Sequence, residues 1–214
     1  RLVVAPNSGA ATAPVGGFYV DVVKPLFDRV FAFVMLVLLS PILLVTALVL
    51  RVRLGRGIIY RQRRVGRHGV PFTVLKFRTM EADRRTAVIR VTVDRRVNHK
   101  SADDPRHTRL GRLIRATGID EMPQLVNVLR GEMSIIGPRP ELPEVVERYR
   151  PWEHARHSVK PGITGLWQIR ERGRGARMHE CVDIDLEYVD SIGFLTDARI
   201  LAATPYHLLR CQGE

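Results

Sequence analysis

Asp120 and Glu121 are adjacent carboxylates inside the run Gly118-Ile119-Asp120-Glu121-Met122-Pro123-Gln124-Leu125, and sixteen residues beyond Glu121 comes Gly137-Pro138-Arg139-Pro140. An arginine fixed between two prolines presents its planar guanidinium with little conformational loss, a shape suited to two-pronged phosphate binding. Well upstream lies an apolar segment interrupted at its middle by Ser40-Pro41. Paired acids, a rigid arginine turn and a broken apolar segment, in this order, point to phosphoryl chemistry at a lipid surface.

Asp120 sits where a helix is expected to begin. Pro123 is tolerated in a first turn, Leu125, Val126, Val128 and Leu129 supply an apolar stripe, and Gly131 can close the C-terminus. At such a start a carboxylate is held ionised by the helix dipole and backbone donors. Two readings therefore stay open: a chemical role for the pair, or Asp120 as a helix cap with Glu121 as a first-turn acid. Upstream, Ile58 to Arg64 and Val70 to Met80 flank Gly66-Arg67-His68-Gly69, the pattern of a β-hairpin. Period-two alternation puts Phe72, Val74, Lys76 and Arg78 on one face. The two cations then mark either a phosphate-facing end or a strand edge guarded by charge.

The apolar segment runs from Val30 to Leu50, interrupted only by Ser40, Pro41 and Thr46. A straight helix of that length rises on the order of 30 Å, enough to cross a hydrocarbon core. Pro41 removes a backbone donor and clashes with the preceding turn, while Ser40 can bond a carbonyl so freed. The expectation is a helix–break–helix over residues 20–54, each half about 15 Å long. Lys24 and Arg29 precede the run, and Arg51, Arg53 and Arg56 follow it. Cations at both ends fit a hairpin that returns to the cytoplasmic surface; a kinked single-pass anchor is the alternative.

The chain has 214 residues, with 34 Lys and Arg against 22 Asp and Glu, a formal charge of +12. That excess favours a polyanionic partner: nucleic acid, an anionic bilayer face or phosphorylated substrates. Two cysteines make no disulfide framework, which suits a reducing compartment. Residues 1–19 read as a flexible tail, and residues 55–214 as a membrane-associated catalytic domain. Within that domain Glu81 to Ser101 reads as a surface excursion. Leu110, Leu113 and Ile114 oppose Arg109, Arg112 and Arg115 on an amphipathic helix. Further on come a turn-rich Lys160-Pro161-Gly162-Ile163-Thr164-Gly165, a helix carrying Asp185 and Tyr188, and a last helix from Asp197 to Leu209.

In order, these motifs resemble the bacterial sugar transferases, the monotopic phosphoglycosyl transferases. The resemblance runs from about Val22 to the C-terminal helix. It is carried by Ser40-Pro41, Arg61-Gln62-Arg63-Arg64-Val65-Gly66, Lys76-Phe77-Arg78-Thr79-Met80, Asp103-Asp104-Pro105-Arg106, the Asp120 to Leu129 run, Gly137-Pro138-Arg139-Pro140 and Pro161-Gly162-Ile163-Thr164-Gly165. It implies an α+β fold, mainly helical, with a re-entrant broken membrane helix, a small β-hairpin and interfacial amphipathic helices. Asp120 would be the nucleophile and Glu121 the ligand of Mg²⁺. A phosphosugar would pass from a UDP-sugar to polyprenol phosphate through a covalent aspartate intermediate, at the cytoplasmic face of a bacterial inner membrane.

Lys76, Arg78, Arg139 and Arg172 would hold substrate phosphates, with Asp185, Gln168 and Arg106 in support. Glu171 stands before Arg172 where the family usually has Gly, and Ser191 to Leu195 lacks the tryptophans often found there. The partners implied are a UDP-sugar, polyprenol phosphate and the lipid bilayer, with a homodimer left open. Two other classes compete. One is a membrane-tethered basic binding module, although no aromatic-interleaved basic stretch for nucleic acid is present. The other is a lipid-linked sugar enzyme that attacks directly, without a covalent step.

Overall fold

A computed structural model describes residues 16–80, 108–171 and 181–210. One π-turn, Tyr19–Val23, leads into α1, Lys24–Leu54. An antiparallel hairpin follows, β1 Ile59–Val65 and β2 Pro71–Phe77. Then come α2 Arg109–Ala116, a 3₁₀ turn at Ile119–Glu121, α3 Gln124–Leu129, β3 Ser134–Ile136 and α4 Pro143–Val146. A 3₁₀ segment, Pro151–Ser158, precedes β4 Gly162–Thr164, α5 Leu166–Arg170, α6 Val182–Asp190 and α7 Phe194–Arg210. The α+β, mainly helical class expected from the sequence is the one observed. Glu81 to Ser101, Asp103-Asp104-Pro105, Arg106 and Arg172 lie outside the described residues.

The expected break at Ser40-Pro41 is not there: α1 is one helix of 31 residues with Pro41 inside it. The reason is local. Pro41 has no N–H to donate to the carbonyl four residues back, Val37 O. Ser40 Oγ donates to that same oxygen at 2.7 Å, so the helix loses one donor and gains another at the same site. Gly55, at φ 76, ends the helix.

α1 shows two faces. Asp28 and Ala32 are buried, and Phe31, Met35 and Leu36 pack against a core that includes Val74, Leu125, Val128, Met133 and Ile136. Further along the same helical stripe, Leu43, Ala47, Leu50 and Leu54 join a second core with Phe77 and Ile114. The opposite face exposes Val30, Phe33, Val37, Leu38, Leu44, Val45, Leu48 and Val52. The Tyr19–Leu54 helix is long and apolar enough to cross a membrane, with a mean hydropathy of 2.8 in its most apolar window. Only 11% of that window is buried within the protein, whereas a soluble core helix is mostly buried. A bare apolar face of this size marks a contact with a membrane or with another protein.

Both ends of α1 are tied to the same body. At the start, Lys24 Nζ lies 2.7 Å from Asp197 Oδ2, and Tyr19 donates its hydroxyl to the same oxygen at 2.6 Å. Tyr188 closes this network, its hydroxyl 2.8 Å from Asp197 Oδ1 and 3.1 Å from Ile136 O. Asp28 Oδ1 accepts from Ile135 N at 3.1 Å. At the far end the Arg78 guanidinium donates to Leu54 O.

β1 and β2 pair from Ile59↔Phe77 to Val65↔Pro71. Their turn places His68 at φ 57 and Gly69 at φ 75. A second, parallel pair joins Ser134↔Gly162 and Ile136↔Thr164. Three-residue strands carry too little periodicity to be read from sequence. Here backbone meets backbone: a Cβ on Gly162 would fall 2.1 Å from Gly137 N, and one on Gly165 2.2 Å from Gly137 O. The glycines of the two turn motifs are thus required by each other.

Candidate active site

Gly118, at φ 72, turns the chain sharply at the end of α2. Ile119–Glu121 then forms a single 3₁₀ turn, with Glu121 N donating to Gly118 O at 3.1 Å and Met122 N to Ile119 O at 3.2 Å. α3 starts only at Gln124, after Pro123, with no side-chain cap. Asp120 therefore does not cap α3, and the capping reading fails. Gly131 closes α3 as expected, its N–H donating to Val128 O at 2.9 Å.

The 3₁₀ turn gives the two acids different surroundings. Glu121 Oε1 receives Lys76 Nζ at 2.7 Å and Arg139 Nη2 at 2.8 Å, while Arg139 Nη1 stands 3.5 Å from Oε2. Burial opposes charge on Glu121, but Arg139 and Lys76 outweigh it and hold the carboxyl well below its usual range. Asp120 has no such partner among the described residues. Burial and then the neighbouring Glu121 charge push it up to about 6, against the pull of Lys76, Arg139 and Arg115. One acid is locked as an anion. The other is an anion held at higher energy, the state a nucleophile needs.

Each arm of the site has an identifiable support. Lys76 comes from the strand face predicted for it. Arg78 lies one residue past the end of β2, where alternation no longer applies, and caps Leu54 O instead of meeting the acids. Arg139 is expected to present an open fork, but in this structure the fork grips Glu121. Its loop is held from behind. Arg156, fully buried, donates Nη2 to Arg139 O at 2.6 Å and Nη1 to the Tyr149 hydroxyl. Arg64 Nη1 donates to Pro140 O at 3.1 Å.

Asp185, named as a supporting carboxylate, lies 2.6 Å from Arg156 Nη2 in an ion pair whose angle is off the hydrogen-bond direction. Burial raises it to about 6 in spite of Arg156. Asp185 thus reaches the acids only through Arg156 and the Arg139 loop. Gln168 is buried and donates Nε2 to Ile163 O at 3.4 Å; it does not join the acids. The sequence reading missed Arg156, Arg64 and the Lys24–Asp197 pair, since residues of separate elements paired across long separations leave no local pattern.

For a divalent cation the fit is partial and specific. Among the described residues there is no cluster of three or more His, Cys, Asp or Glu. Glu121 Oε2 has only the long 3.5 Å contact, so it keeps a lone pair to offer. One or two carboxylates completed by substrate phosphates is an ordinary donor set for Mg²⁺.

Residues 19–211 match the model of the family described as bacterial sugar transferase. The chain belongs to the bacterial sugar transferase family. Among its relatives in that family, EpsL of Bacillus subtilis (strain 168), named an uncharacterized sugar transferase, is 42% identical over 193 residues, 90% of each chain. The exopolysaccharide production protein ExoY of Sinorhizobium fredii is 36% identical, covering 93% of this chain and 89% of that one. The UDP-glucose:undecaprenyl-phosphate glucose-1-phosphate transferase of Escherichia coli (strain K12) is 38% identical over 84% of this chain but only 38% of its own length. This bacterial sugar transferase thus matches the shorter relatives almost end to end and the longer one over part of its length.

Proposed function

We propose that this chain moves a sugar-1-phosphate from a UDP-sugar to polyprenol phosphate, releasing UMP, as a membrane step of exopolysaccharide or other glycoconjugate assembly. The observation that carries the reading is the unequal pair: Glu121 neutralised by Lys76 and Arg139, and Asp120 beside it, half-buried and without an ion-pair partner among the described residues. The names of the E. coli and Sinorhizobium relatives supply the substrate class and the pathway class.

In the first step an Asp120 oxygen attacks the sugar-bearing phosphorus and the bond to the UMP oxygen breaks, leaving the phosphosugar on the aspartate. In the second, an oxygen of polyprenol phosphate attacks the same phosphorus, giving the lipid diphosphosugar and restoring Asp120. Lys76 and Arg139 hold phosphate oxygens and stabilise the charge that builds on them. Mg²⁺, held by Glu121, would neutralise the pyrophosphate and ease departure of UMP. Splitting one displacement into two lets a water-soluble donor and a lipid acceptor use the same small site in turn.

The membrane arrangement follows from α1. Its start is bonded to Asp197 and Ile135 and its end to Arg78, all on one body, which supports an unbroken helix that lies along that body with its bare face in lipid and both ends on one side of the membrane. Nucleotide sugars place that side in the cytoplasm of a bacterial inner membrane. Single cysteines at Val20 and Arg56 should both resist an impermeant thiol reagent in intact cells; labelling of the first would mean that the helix crosses.

The chemistry is tested with the purified chain, Mg²⁺ and a panel of UDP-sugars, first without and then with polyprenol phosphate. A stoichiometric burst of UMP, with a mass gain of one sugar phosphate on Asp120, is expected before lipid is added. UMP released only with lipid, and no adduct, would indicate direct displacement. No UMP with any donor would leave a binding module. Excess chelator should stop turnover, and full activity in chelator would remove Mg²⁺.

A further inference from the structure

Beyond the C-terminal end of α3, on the far side of that helix from Asp120 and Glu121, the molecule gathers cations that the catalytic reading does not use. A Cβ on Gly131 would sit 3.3 Å from Arg29 Nη2 and 3.6 Å from Lys160 Nζ. Two cationic groups thus converge on one point beside Gly131. They are not capping α3. Three of its last four carbonyls are already taken, Val126 O by Arg130 N at 3.0 Å, Val128 O by Gly131 N at 2.9 Å and Asn127 O by Glu132 N at 3.0 Å.

Among the described residues neither Arg29 nor Lys160 has a hydrogen-bond or ion-pair partner. Asp28, next to Arg29 in sequence, accepts from Ile135 N at Oδ1, and Glu132, next to Gly131, accepts from Asn127 Nδ2 at Oε2 at 2.7 Å. Burial and the charge of Arg29 lower Lys160, with Asp28 pulling it up and Arg67 and Lys24 adding to the lowering. The positive charge here exceeds what the protein balances.

Arg29 also stands among exposed apolar residues. Leu26 and Phe27 before it, and Val30 and Phe33 after it, are 62%, 45%, 55% and 61% exposed. Exposed apolar residues run on both sides of Arg29, from Phe18 and Val22 onward, so the guanidinium stands beside that face of the helix. With that face in lipid, a long cationic side chain beside it extends to the headgroup phosphates, where such side chains settle. Lys160 reaches the same level from the Lys160-Pro161-Gly162 turn, whose glycine packs on Gly137.

We propose that Arg29 and Lys160 form a binding site for the phosphate of an anionic membrane phospholipid, separate from the Asp120–Glu121 pair. A tetrahedral phosphate offers each cation its own oxygen at charge-assisted hydrogen-bond distance. The bound headgroup ties α1 to the Lys160 turn and fixes how deep the helix sits. The site depends on α1 lying in lipid and not on the chemistry at Asp120.

The test uses the purified 214-residue chain in detergent, titrated with phosphatidylglycerol or phosphatidylcholine and read by native mass spectrometry. Phosphatidylglycerol should be retained more tightly. Arg29→Gln and Lys160→Gln should each weaken it about fivefold, together more, with phosphatidylcholine unchanged. The charge-keeping pair Arg29→Lys and Lys160→Arg should bind like the unaltered protein, which separates loss of charge from loss of fold. Asp120→Asn should bind as well as the unaltered protein, so the outcome stands apart from the fate of the transferase reading. Equal retention of the two lipids, or an unaffected double glutamine variant, overturns the proposal. So does displacement of phosphatidylglycerol by an equal concentration of inorganic phosphate, which would assign the site to a soluble anion.

Discussion

Two lysine–carboxylate pairs in this molecule have the same length, 2.7 Å, and opposite consequences. In Lys24–Asp197 both side chains are under a tenth exposed, and Tyr19 and Tyr188 satisfy the remaining acceptor positions. That network is closed and pins α1. In Lys76–Glu121 the lysine is a fifth exposed, Arg139 shares the same oxygen, and a second acid, Asp120, stands next to the pair without a partner among the described residues. That network is open. An ion-pair distance alone does not separate scaffold from chemistry; an unpaired charge beside it does.

The largest effect that can break this contrast is at the open site. Asp120→Asn should reduce UMP release on the order of 10⁴-fold or more while the chain stays folded. Near-normal release would make both networks structural. Next is the closed network: Asp197→Asn should cost about 3–5 kcal/mol in denaturant unfolding, because it leaves Lys24 buried without its counter-ion. UMP release per folded molecule should change little, and a specific activity loss without a stability loss would erase the distinction.

Arg156→Lys sharpens the comparison, since the Arg156–Asp185 pair is fully buried, like Lys24–Asp197, yet touches the open site through Arg139 O. Lysine cannot hold both the Tyr149 hydroxyl and that carbonyl with one planar fork. Turnover should fall about ten- to a hundredfold through displacement of Arg139, with a larger change in kcat than in KM for the UDP-sugar. An unchanged kcat would confine Arg156 to stability.

The smallest effect is electrostatic. Asp120, raised to about 6 in the folded chain, binds more protons there than when unfolded. Its charge therefore costs stability above that pH, and the cost fades as pH falls towards its ordinary value. Asp120→Asn should melt a few degrees above the unaltered protein at about pH 7.5, with the gap narrowing below about pH 6 and closed only below about pH 4. A gap independent of pH would mean that Asp120 is not strained. Turnover of the unaltered protein should decline below about pH 6 as Asp120 protonates.

Much of this was legible in the sequence. The hairpin and α3 follow from periods of two and 3.6 and from their glycines, and Lys76 was placed correctly because Val74 and Phe72 define its face. Arg78 was misplaced because the face rule ends with the strand at Phe77. The 3₁₀ turn that frees Asp120 from capping depends on Gly118 adopting φ 72, and glycine alone does not announce which way it turns. Arg156 and Asp185 meet from separate segments with no shared period, so only the folded chain brings them together. Pro41 was read as a break because its missing donor was weighed more heavily than the hydroxyl one residue before it.

That hydroxyl gives the membrane helix a directional history. Pro41→Ala restores an N–H to Val37 O, and Ser40 becomes dispensable. Ser40→Ala with Pro41 kept leaves Val37 O bare where lipid supplies no donor, a loss of about 1–3 kcal/mol. Thermal unfolding should therefore rank the double alanine variant above Ser40→Ala alone. A lineage changing one residue at a time can shed the proline and then the serine without a weak intermediate, and can acquire the proline only after the serine is already in place.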